Sequence, residues 1–174
     1  MQRSAQDCEP AEERCILKVL IAEDDLVIAD MEVETLTEHG YDVCGIGRNV
    51  ADAVALAWRH KPDLVILDVR LADGDLGTQI ATDLADLHEL GILYVTSNVS
   101  AVSQSSARGH ACLAKPYRTG DLLRGLEIVT EIIDTGVASP PFPRNFQLRP
   151  PAHQRDRPGP DDQAQPISVL GAIG

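Results

Sequence analysis

An α/β fold built on a five-stranded parallel sheet is the class this sequence predicts, on three observations. Short apolar, β-rich runs recur at 17–22, 41–46, 63–67, 92–95 and 111–114. They are nearly continuous rather than alternating, the pattern of strands buried on both faces. Longer segments with helix signals lie between them, as crossovers between parallel strands require.

The elements follow in order. Residues 1–15 are polar and charged and predict a disordered N-terminal segment. After the strand LKVLIA, Asp25 can cap a helix running to His39, with Gly40 as its left-handed stop. The strand YDVCGI comes next. Asn49 and Asp52 then form a capping pair for a helix ending near His60, where Lys61-Pro62 forbids continuation. The strands DLVIL and ILYV follow. Beyond Thr96, VSAVSQSSARG is too rich in serine for a strong helix, so a short or irregular one is expected before the strand ACLA. A last helix opens at Thr119, and its residues Leu122, Leu126, Val129 and Ile133 recur with helical spacing, a stripe suited to covering a sheet.

The compact domain is therefore expected over 16–134. Eight of the 11 prolines fall at or after Pro140, so 135–174 is expected to be a mostly disordered tail. Both phenylalanines, Phe142 and Phe146, nevertheless lie in SPPFPRNFQL at 139–148, together with Arg144. That stretch either docks back onto the acidic domain, docks into a partner's groove, or is a plain linker.

Lys and Arg total 15 against 27 Asp and Glu, a net charge of −12, which argues against a phosphate-tracking nucleic-acid surface. No apolar run approaches the roughly 20 residues of a membrane span. The start, MQRSAQDCEPAEER, lacks the apolar core of a secretory leader, so a cytoplasmic location is expected. Cys8, Cys15, Cys44 and Cys112 are too scattered for a zinc or redox pair and read as free thiols.

Ligands of parallel α/β sheets gather at the carboxyl ends of the strands. There the sequence places Glu23-Asp24-Asp25, Asp68, Thr96-Ser97-Asn98 and Lys115-Pro116. Carboxylates so close raise one another's pKa unless a cation sits among them, and hard oxygen donors suit Mg²⁺. A carboxylate beside Mg²⁺ and a lysine can attack a phosphoryl group, giving an aspartyl phosphate.

Four motifs carry a resemblance: VLIAEDD at 19–25, LVILDVRLADG at 64–74, YVTSN at 94–98 and LAKPY at 113–117. Together they resemble the CheY-like receiver domain of bacterial two-component response regulators, over essentially all of 16–134. The resemblance implies a flavodoxin-like (βα)5 three-layer sandwich with strand order 2-1-3-4-5. It implies Asp68 as phosphoacceptor, Thr96 as the hydroxyl that follows phosphorylation, and Lys115 as the partner of a phosphate oxygen. For Mg²⁺ it implies Glu23 through water, Asp24, Asp68 and the carbonyl of Arg70. Partners would be a sensor histidine kinase or histidine phosphotransfer protein and a downstream protein, with no nucleic acid or membrane; a homodimer is left open. Such a protein catalyses only its own phosphorylation and dephosphorylation. Arg70 and Asn98, two places after acceptor and hydroxyl, are expected to flank the phosphoryl group.

There are departures. Cys112 stands three places before the lysine, where an aromatic switch is usual, and Lys115 lies only 19 positions after Thr96. Tyr94 and the Lys-Pro-Tyr ending resemble the FAT GUY group of stand-alone receivers, although Ser97 replaces their glycine. The main alternative is a phosphorylation-independent pseudo-receiver used as a binding module. A phosphatase with an aspartyl nucleophile fits poorly, because no Asp-x-Asp pair ends the third strand.

Overall fold

A computed structural model describes residues 16–71, 76–87 and 89–149. Residues 1–15, 72–75, 88 and 150–174, which include the expected N-terminal segment and much of the expected tail, lie outside the described residues.

The chain alternates strand and helix: β1 (Lys18–Ala22), α1 (Leu26–Glu38), β2 (Asp42–Gly47), α2 (Val50–His60), β3 (Leu64–Asp68), α3 (Gly77–Asp83), β4 (Gly91–Thr96), α4 (Val99–Gln104), β5 (Ala111–Ala114) and α5 (Thr119–Thr135). The first five strands are all parallel, in the order β2-β1-β3-β4-β5. This is the flavodoxin-like α/β sandwich, and the caps anticipated from the sequence form. Asp25 accepts from Val27 N–H at 2.9 Å, and Asn49 accepts from Asp52 N–H at 2.8 Å. Gly40 has a φ of 85°, the left-handed turn after α1. The helix α4 has only 6 residues, as the short Thr96–Lys115 interval requires.

Two cores result from the period of two along each buried strand. Val19, Ile21, Leu64, Ile66, Leu93, Val95 and Leu113 point to one face and pack with Leu36 of α1 and the Leu122-Leu126-Val129 stripe of α5. Their neighbours Leu20, Ala22, Val65, Leu67, Ile92 and Tyr94 point to the other, against Ala53 and Ala57 of α2, Ile80 and Ala81 of α3, and Val102 of α4. Cys44 and Cys112 are both free thiols. Among the described residues, no helix is long and apolar enough to cross a membrane.

The structure departs from the expected five strands and from the expected division near Asp134. A sixth strand, β6 (Phe146–Leu148), pairs antiparallel with β5. The loop leading to it is fastened to α5, because Arg124 donates to the carbonyls of Ser139 and Pro141, and Ser139 N–H donates to Glu131. Phe142 and Phe146 stack with ring centroids 6.2 Å apart, and Phe146 joins the α5-side core. Of the three readings for this stretch, the structure displays docking back onto the domain.

Glu32 was not anticipated as a buried residue. It is 1% exposed on α1, with Oε1 accepting from the Tyr117 hydroxyl at 2.6 Å and Oε2 lacking a hydrogen-bond partner among the described residues. Burial holds its carboxyl up at about 7, despite the opposing hydrogen bond from Tyr117. Burial, and then the Glu32 carboxylate, push the Tyr117 phenol up as well. Between the ordinary value of 4.5 and about 7 the folded chain binds more protons than the unfolded one, so Glu32 makes stability fall as pH rises through that window. Glu32→Gln is expected to be more stable than wild type at pH 8 by ~3 kcal/mol, with the gain gone by about pH 4.5. Urea unfolding at both pH values checks this, and an equal difference at the two would show that Glu32 does not titrate as described.

Candidate functional site

Parallel register brings the strand ends level. Ala22 pairs with Leu67, Asp68 with Val95, and Thr96 with Ala114. The residues following each run therefore emerge on one edge of the sheet. Glu23 N–H donates to Gly47 O at 3.1 Å and Lys115 N–H to Thr96 O at 2.9 Å, extending the alignment one residue beyond the strands.

On that edge the Lys115 ammonium lies 2.7 Å from Glu23 Oε2 and 2.7 Å from Asp68 Oδ2. The remaining oxygens are held by backbone: Glu23 Oε1 accepts from Asp25 N–H at 3.1 Å, and Asp68 Oδ1 accepts from Arg70 N–H at 3.0 Å. Burial raises the Glu23 carboxyl above its usual value, and the Lys115 hydrogen bond opposes that rise only in part. Burial alone would lower Lys115, but its hydrogen bonds to Asp68 and Glu23 outweigh this and hold the ammonium above its ordinary value. The lysine is thus fixed as a cation between two carboxylates.

Thr96, 1% exposed, ends the neighbouring strand. Its Oγ1 accepts from Asn98 N–H at 3.0 Å, and Asn98 Oδ1 in turn accepts from Ala101 N–H at 3.2 Å as the N-cap of α4. Asn98 was expected to flank a phosphoryl group. In the structure its side chain caps α4 directly beside Thr96.

Asp24 follows Glu23 at the end of β1 and is half-buried, while Arg70 is exposed. Among the described residues, no three His, Cys, Asp or Glu side chains close into a metal cage. Mg²⁺ does not need one, since it binds through one or two carboxylates and keeps several waters. The all-oxygen donors at this edge are of the kind that cation takes. Glu23, Asp24, Asp68 and the Arg70 carbonyl fit it by chemistry.

The family described as "Response regulator receiver domain" matches residues 19–127, and the chain belongs to it. Response regulators act as regulators rather than as true enzymes, and receiver domains are generally Mg²⁺-dependent. The chain is 37% identical to the transcriptional regulatory protein PdtaR of Mycobacterium tuberculosis over 114 residues, covering 64% of this chain and 55% of the relative. It is 37% identical to the phyllosphere-induced regulator PhyR of Methylorubrum extorquens over 82 residues, covering 46% of this chain and 30% of the relative. The chain thus spans about half or less of the length of these curated relatives. Among solved structures, a CheY-like receiver domain protein from Methanospirillum hungatei aligns with a TM-score of 0.62 at 22% identity, covering 71% of this chain and 100% of that one, a likeness of fold.

The position of Asp68 depends on a close backbone approach at Gly77. A Cβ at residue 77 would lie 1.9 Å from the Asp68 carbonyl oxygen, so a side chain there must move the end of β3. Gly77→Ala is expected to cost about 1–3 kcal/mol in urea unfolding by displacing the end of β3 that carries Asp68. A variant with the wild-type midpoint would show that the loop absorbs the methyl group without moving Asp68.

Proposed function

We propose that this receiver domain accepts a phosphoryl group on Asp68 and signals by protein–protein contact. The observation that carries the reading is the Lys115 ammonium held 2.7 Å from both Asp68 and Glu23 at the strand ends. Phosphoryl transfer needs a positioned nucleophile and fixed positive charge around the transferring oxygens. Asp68 supplies the first, pinned by Arg70 N–H and Lys115.

In the reaction a carboxylate oxygen of Asp68 bonds to phosphorus as the bond from phosphorus to the donor nitrogen of a phosphohistidine breaks. The imidazole leaves with the electron pair and takes up a proton. Lys115 then exchanges its contact with Asp68 for one with a phosphoryl oxygen. Thr96 Oγ1, released from Asn98 N–H, donates to another. Glu23, Asp24, Asp68 and the Arg70 carbonyl would hold Mg²⁺, which when bound offsets the charge on the phosphoryl oxygens.

The phosphodonor proposed is a cytoplasmic sensor histidine kinase or histidine phosphotransfer protein. Leu26, Val27 and Met31, from 51% to 78% exposed on the first two turns of α1, give it an apolar landing beside the site.

Acetyl phosphate with Mg²⁺ should label the wild-type protein at Asp68, and Asp68→Asn should abolish the label. Equal labelling of the variant by mass spectrometry, or full labelling of wild type in excess chelator, overturns the reading. An unlabelled wild type would favour the pseudo-receiver instead.

The exposed Arg70 side chain stands two places after the acceptor and is expected to tune the lifetime of the aspartyl phosphate rather than its formation. Arg70→Ala should change the dephosphorylation rate by about threefold or more while leaving labelling of Asp68 intact. An unchanged decay rate removes that role.

A further inference from the structure

Glu32 and Tyr117 meet across two elements that each border the acceptor site. Helix α1 follows the acidic pair Glu23-Asp24, and the loop 115–118 between β5 and α5 begins with Lys115. The Tyr117 hydroxyl donates to Glu32 Oε1 at 2.6 Å, a side-chain bond across 85 residues of sequence. Glu32 Oε2 is buried with no hydrogen-bond partner among the described residues. A cavity of about 50 Å³ adjoins the pair, lined by Met31, Glu32, Thr35, Tyr117, Thr119 and Leu122. Helix α1, the loop and the start of α5 thus close over one carboxyl group.

This seat suits a neutral acid better than a carboxylate. A protonated carboxyl loses little on burial, whereas an ionised one needs hydrogen bonds at both oxygens, or water. The charged groups that act on Glu32 come from three strand ends. Glu23 after β1 and Asp68 at the end of β3 favour the proton, while Lys115 after β5 opposes it. The Tyr117 hydroxyl also favours the ionised form, and burial outweighs it. Ionisation therefore favours any motion that brings water to Oε2. Helix α1 has 13 residues, with Ala29 and Leu36 fully buried, while residues 115–118 form neither helix nor strand, so the loop yields first.

We propose that Glu32 is a positioning residue for Lys115 and acts as a proton-operated latch: the protonated acid keeps the Tyr117 loop closed against α1, and ionisation releases it. The consequence for phosphoryl acceptance rests on the reading of Asp68 given above. Lys115 stands two residues before Tyr117 and touches both Asp68 and Glu23, so slack in the loop is slack in the cation. Release lowers the fraction of molecules with the ammonium in place and slows transfer to Asp68. The carboxyl titrates at about 7, which sets the transition at neutral pH.

The test compares wild type with Glu32→Gln, which keeps an oxygen to accept from Tyr117 and cannot ionise. Labelling of Asp68 by acetyl phosphate with Mg²⁺ is followed from about pH 6 to about pH 8.5, and the wild-type rate divided by the variant rate should fall about threefold or more across that span. Over the same span, amide exchange at Lys115 and Tyr117 should accelerate in wild type relative to Glu32→Gln, by more than any change at the amides of α2. Tyr117→Phe removes a bond that favours the ionised form, so both transitions should move to higher pH.

A flat ratio with unchanged exchange, or transitions that Tyr117→Phe leaves in place, overturns the latch. A falling ratio without faster exchange would assign the effect to the charge of Glu32 acting on the incoming phosphodonor, and overturns the positioning role. If Asp68 takes no label at any pH, the receiver reading fails and the positioning role with it. Amide exchange then still decides whether the proton on Glu32 holds the loop to α1.

Discussion

Two carboxylates cannot share the edge of a sheet without a cation between them. Like charges about 4 Å apart at an effective dielectric of ~20 repel by roughly 4 kcal/mol, and burial adds to that cost. In this protein the Lys115 ammonium removes the conflict, touching Glu23, 92 residues away in sequence, and Asp68, 47 residues away. The contact is therefore a tertiary fastening of β1, β3 and β5 at their carboxyl ends. The same constraint explains why the site lies at that edge: only a parallel register holds three separated segments level, and Lys115 reaches both partners only while the register holds.

The five parallel strands were legible because each is a short apolar run in which burial on both faces overrides alternation. Their boundaries fell within a residue or two, and the capping roles of Asp25 and Asn49 appear as the sequence implies. The strand-end residues Glu23, Asp68, Thr96 and Lys115 were legible for a related reason: polar residues immediately after apolar runs have nowhere to go but the edge. Their convergence depends on strand order, which the motif resemblance supplied and the run pattern alone did not.

The features that escaped the sequence share a cause, which is that their stability is entirely tertiary. Phe146-Gln147-Leu148 is a strand only because β5 offers an unpaired edge and Gly125 a space for a ring; within a proline-rich stretch it has no periodicity of its own. Glu32 reads as one more charge on an acidic helix. Its spacing of three from Ala29 and four from Leu36 puts it on the buried face of α1, and the hydroxyl it needs comes from Tyr117, 85 residues on. The capping role of Asn98 was not legible either, because a six-residue helix with weak propensity gives little sign of where its first turn begins, and it uses that side chain to satisfy that turn.

Substituting Cys112 for an aromatic on β5 changes how strain can travel from the site. A thiol has no ring to rotate, and Cys112 lies buried under the α4 side of the sheet. The aromatic of that region is Tyr94 on the neighbouring strand, itself fully buried, with its hydroxyl donating to Arg108 O at 2.8 Å and its face under Arg149. A ring held at its tip and covered on its face is a poor rotor. Thr96 lies two residues along β4 and points to the same side as Tyr94, so a displacement that begins at Thr96 meets α4 first. The least resistant path is the helix with the fewest internal hydrogen bonds, and α4 has only six residues with which to make them. A short helix held at both ends by side-chain contacts moves as a body once either contact yields.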